Sequence, residues 1–82
     1  MNNDLIPLPK AVFCKEYTVK AIIGEENCHR CFKGYGIIPG ASVTPLFPSP
    51  CGNPCAYEVA GAVIALRHED SGHILVMPAS YR

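Results

Sequence analysis

The sequence has no excess of charge of either sign. Seven Lys and Arg stand against seven Asp and Glu, for a formal net charge of zero. A chain without a basic face is a poor match for the phosphates of nucleic acid or for an anionic membrane surface. Long apolar runs are missing too. The longest, Val59 to Leu66, has eight residues including a glycine, whereas a membrane-spanning helix needs about 20. Met1 to Asp4 carries no basic stretch ahead of an apolar one, so no targeting segment is expected and a cytoplasmic protein is. There is no phosphate-binding glycine loop, and Ser42, Ser49, Ser71 and Ser80 stand in no motif that would make a nucleophile. The reading is therefore of a non-enzymatic protein.

What is present suits one small folded domain over residues 1–82, with 1–9 as an extended lead-in and 79–82 as a tail. Its length supports a single modest core, and 49% hydrophobic residues argues against disorder. Tyr17 to Ile23 is β-branched and aromatic, which predicts a strand with Val19, Ala21 and Ile23 on one face. Glu25 to Tyr35 reads as a helix. Its acidic residues come first and its basic ones later, and Cys28, Cys31, Phe32 and Tyr35 make one apolar stripe. Gly36 is placed to end that helix and Pro39-Gly40 to turn the chain. Strands are then predicted over Ala41–Phe47, Cys55–Ala60, Val63–Leu66 and His73–Met77, with Arg67–Gly72 as a polar turn. Pro45 implies an edge or a bulge in the first of these. The fold class expected is mainly β: a small barrel of about five strands with one short helix between the first two.

The stretches Tyr35-Gly-Ile-Ile-Pro-Gly40, Ser49-Pro-Cys-Gly-Asn-Pro54, Val59-Ala-Gly-Ala-Val-Ile-Ala-Leu-Arg67 and Ile74-Leu-Val76 occur in that order. Together they resemble the FeoA family, small accessory proteins of bacterial ferrous-iron uptake. The resemblance covers about residues 5–78. It implies an SH3-like barrel, no enzymatic activity, no required cofactor, and work alongside the FeoB-type ferrous iron transporter through that transporter's cytosolic region. The same fold occurs in iron- and manganese-dependent repressors, but this sequence supplies no DNA-binding helices. Two positions depart from the family pattern: Cys51 replaces an apolar residue before the loop glycine, and Asn53 replaces an aspartate.

Two candidate sites follow. The first is a partner surface of Leu46, Phe47, Pro50, Cys51, Asn53 and Tyr57, built on a proline-stiffened projection whose ordering cost is low. Alternation requires Leu46 or Phe47 to face the core. The second is a zinc or ferrous-iron site of thiolates, Cys28-x-x-Cys31 with Cys51-x-x-x-Cys55, and His29 as a substitute ligand. That would make the chain a transition-metal-binding protein. The competing reading makes Cys28, Cys31 and Cys55 small core residues and Cys51 an exposed loop thiol. A redox Cys-x-x-Cys lacks the βαβ setting it needs. His68, Glu69, Asp70 and His73 form a carboxylate–imidazole group that reads as a solvated turn before it reads as a metal site. Self-association into a homo-oligomer stays open.

Overall fold

The computed structural model describes residues 5–24, 30 and 32–79. Among the described residues, six antiparallel strands, β1 (Ile6–Pro7), β2 (Tyr17–Ile22), β3 (Ser42–Pro48), β4 (Cys55–Val59), β5 (Ala62–Leu66) and β6 (Ile74–Pro78), form one sheet in the order β1-β6-β2-β3-β4-β5. The fold is mainly β and SH3-like, as expected. The additional strand is β1, which pairs with β6 through Ile6 opposite Val76. The lead-in is thus part of the sheet. A 3-10 turn, Leu8–Lys10, follows it and buries Leu8 in the core. The outermost strands, β1 and β5, make no ladder with each other.

Side-chain alternation builds the core from inward residues of several strands: Tyr17, Val19, Val43, Cys55, Tyr57, Val59, Leu66, Ile74 and Val76 are all buried. Ala56 and Glu58 face outward, as period two requires. On β2 the period breaks. Val19 pairs with Val76 but Ala21 pairs with Leu75, leaving Lys20 as an extra residue. Beyond this bulge the faces exchange, so Ile22 packs on the core and Ile23, expected inside, is 49% exposed.

A second bulge lies in β3, between Pro45 opposite Tyr57 and Phe47 opposite Ala56. The β2–β3 ladder has already ended at Tyr17 opposite Val43. Pro45 can therefore sit in an interior strand, since the neighbour on that side is no longer a partner for its missing N–H. Its carbonyl accepts the Cys14 N–H instead, at 2.6 Å.

Arg30 and residues 32–34 are helical. The end of this segment forms the predicted stop. Gly36, at φ +87°, donates to the Lys33 carbonyl at 3.0 Å, and Ile37 donates to the Phe32 carbonyl at 2.9 Å. This is a Schellman motif, completed by burial of both Phe32 and Ile37. Of the predicted stripe, Phe32 is in the core but Tyr35 is exposed; Cys28 and Cys31 lie outside the described residues. The Ile38 carbonyl then accepts from Ala41 at 2.9 Å across Pro39-Gly40, with Gly40 at φ +96°. Proline at the second position and positive φ at the third make it a type II turn.

Candidate functional site

The loop from Ser49 to Pro54 connects β3 to β4 and lies against the segment after β5. Leu66 pairs with Cys55, so the chain leaving β5 passes beside the loop that enters β4. Residues 67–72, read from sequence as a polar turn, contain one turn of helix, His68–Ser71. Its bonds are Ser71 to the Arg67 carbonyl at 2.8 Å and Gly72 to that of His68 at 2.9 Å. Arg67 offers no side-chain cap. The cap comes from across the site: Asn53 Oδ1 accepts the His68 N–H at 3.0 Å. An aspartate would present the same acceptor oxygen, so the departure at this position preserves the contact. The Asn53–Pro54 bond is cis.

This clasp brings Cys55 and His68 together, with Sγ 3.4 Å from Nε2. The same thiol lies 3.5 Å from the Gly52 carbonyl. A consistent arrangement has Nε2–H donating to sulfur and S–H donating to the carbonyl. Behind the pair, the Tyr57 phenol is buried near Ser71 and Cys55. Burial pushes its pKa above the usual tyrosine value, Ser71 opposes that rise, and the Cys55 thiol adds to it. Ser71 Oγ, fully buried, approaches the phenol without reaching full hydrogen-bond geometry.

The predicted partner surface divides. Phe47 is 58% exposed, and Pro48, Pro50 and Cys51 are exposed with it. Leu46 and Asn53 are half-buried. Tyr57 is 1% exposed and belongs to the core, so it is no surface anchor. Alternation was expected to send Leu46 or Phe47 inward. Neither joins the core, because Val43 and Pro45 take the inward positions and the bulge falls at Leu46. Phe47 instead stands on the outer face, in register with Ala56 and Ala65. Exposed Val12 and Phe13 approach β3 through the Cys14–Pro45 hydrogen bond.

Of the four candidate thiolate ligands, Cys28 and Cys31 lie outside the described residues, as does His29. Cys51 is exposed and Cys55 buried, and both are free thiols. Among the described residues no group of three His, Cys, Asp or Glu side chains is assembled for a metal ion. The His68, Glu69, Asp70 and His73 group does not converge. A Cβ at Gly24 would meet the His73 ring at 3.0 Å, so that imidazole is turned toward Gly24.

Sequence reasoning did not find the Cys55–His68 contact, since no local pattern links positions on two elements. It also did not find an open groove of about 330 Å³ on the outer face, lined by Glu16, Ser42, Thr44, Glu58, Ala60 and Gly61. Outward alternation on β3 and β4 was the only signal for the latter. Among the described residues no helix is long and apolar enough to cross a membrane.

Comparison with known proteins places this geometry in context. The model of the FeoA domain matches residues 9–78. A crystal structure of an iron uptake regulatory protein, FeoA, is similar at TM-score 0.83 and 24% identity, covering 92% of this chain and 99% of that one. A FeoA-like protein from Clostridium acetobutylicum is similar at TM-score 0.85 and 23% identity, covering 99% and 94%. A manganese-dependent transcriptional repressor in complex with manganese is similar at TM-score 0.84 and 17% identity; the match covers 96% of this chain but 39% of the repressor. No curated protein sequence matches the chain significantly.

Proposed function

Since the chain belongs to the FeoA domain family, and through it to ferrous-iron transport, we propose that it is a non-enzymatic cytoplasmic regulator that docks on the cytosolic region of a FeoB-type ferrous iron transporter. The observation that carries this reading is the outward Phe47. A large aromatic at 58% exposure, on a bulged strand and followed by exposed Pro48 and Pro50, is the composition of an interface anchor. The β3–β4 ladder, in which Phe47 pairs with Ala56, holds it, so little conformational freedom is lost on binding. Regulation then follows from differential affinity: docking biases the transporter only as far as one of its states is bound more tightly than another.

The test is binding of the purified chain to the transporter's cytosolic region, measured with wild type and Phe47→Asp. Wild type binds, and Phe47→Asp weakens binding by roughly tenfold or more, a loss of at least about 1.4 kcal/mol. Because Phe47 is outside the core, the variant keeps its melting temperature. Equal binding by both proteins rejects the surface; binding by neither rejects the partner.

A further inference from the structure

Cys55 and His68 are 13 positions apart and sit on different elements, yet Sγ and Nε2 are separated by 3.4 Å. A tetrahedral zinc-type ion holds thiolate sulfur at about 2.3 Å and imidazole nitrogen at about 2.05 Å, which sets two such ligands about 3.6 Å apart, within about 0.2 Å of the distance seen here. The observed spacing is already that bite. Three features keep it: the Cys55–Leu66 register, the Asn53 hydrogen bond to the His68 backbone, and the Gly52 carbonyl against the thiol. His68 is exposed and Cys55 buried, so the pair reaches from the core to the surface.

We propose that Cys55 and His68 bind a borderline-soft divalent transition-metal ion through one sulfur and one nitrogen, with water completing the coordination. Two protein ligands leave open positions, so the ion is exchangeable rather than structural. Formation of the metal–sulfur bond releases the thiol proton to solvent. On binding, the imidazole proton moves from Nε2 to Nδ1 by exchange with solvent, which frees the Nε2 lone pair for the ion, so the net release is the one thiol proton; nothing is oxidised or reduced. This site uses neither Cys28 nor Cys31, and it stands independently of docking through Phe47.

The experiment titrates the reduced full-length chain, under anaerobic conditions, with Co²⁺ and then Zn²⁺. One Co²⁺ per chain is expected, with a thiolate-to-cobalt charge-transfer absorption that Zn²⁺ removes and about one proton released per ion. His68→Gln leaves the thiol in place and weakens binding by roughly tenfold or more. Cys55→Ser abolishes the charge-transfer absorption, while the double variant Cys28→Ser, Cys31→Ser retains it. His68 is exposed, so its variant stays folded and supplies the decision even if Cys55→Ser does not. Absence of the absorption in wild type overturns the proposal, as does its survival at full affinity in His68→Gln or its loss in the Cys28, Cys31 double variant.

Discussion

Ala60 adopts φ 54° in the two-residue connection between Val59 and Ala62, with Gly61 also at positive φ. Two consecutive left-handed residues give a type I′ turn, whose twist matches the strands it joins. For alanine that conformation costs about 1 kcal/mol, and asparagine tolerates it better. Ala60→Asn is therefore expected to stabilise the chain by about 0.5–1 kcal/mol, read as a higher denaturant midpoint at unchanged slope. Tyr57 offers a different test. Its phenol is buried and its pKa raised in the folded chain, so the folded state holds a proton that the unfolded state gives up first. Stability from this group is complete below about pH 10 and falls as pH rises from there through the folded value. Tyr57→Phe should flatten that alkaline loss in pH-dependent urea unfolding, an outcome that would not appear if the phenol were solvated.

Among elements, the His68–Ser71 helix shows most clearly that a segment can depend on a distant one. Four residues make too little helix to persist alone. Its first N–H is satisfied by Asn53, from the loop on the other side of β4. Asn53→Ala removes that acceptor and should cost about 0.5–1 kcal/mol. Hydrogen exchange would rise first at Ser71 and Gly72, whose amides close the helical turn; unchanged protection there would show that packing alone holds it. The two bulges act at the same scale. Each inserts one residue into a ladder, and each changes which side chains meet water: Ile23 is outward because of the first, and Phe47 because of the second.

At the scale of the molecule, the N-terminal segment closes the core. Leu8, although it follows a strand of only two residues, is 1% exposed. It sits with buried residues contributed by several strands, so removing it opens a cavity that the sheet cannot fill by a local shift. Leu8→Ala is expected to cost about 2–4 kcal/mol, a large share of what an 82-residue domain has. Thermal unfolding measures it; a loss below about 1 kcal/mol would mean the segment is an appendage and the sheet effectively five-stranded.

Local chemistry and period were enough for much of this protein. Glycine with proline at fixed places determined the helix stop at Gly36 and the turn at Pro39-Gly40, because those conformations depend on a few bonded residues and exclude most others. Alternation placed Tyr57 and Val59 on the same side as Cys55, and motif order identified the family. Only the tertiary structure decided the rest. A bulge is a mismatch between two strands, so it is invisible along either one; hence the reversal at Ile23 and the outward turn of Phe47. The meeting of Cys55 with His68, and the cap that Asn53 supplies, required the β4–β5 register to carry two separate segments to one place. Contacts of that kind are properties of the ladder, which no single stretch of chain encodes.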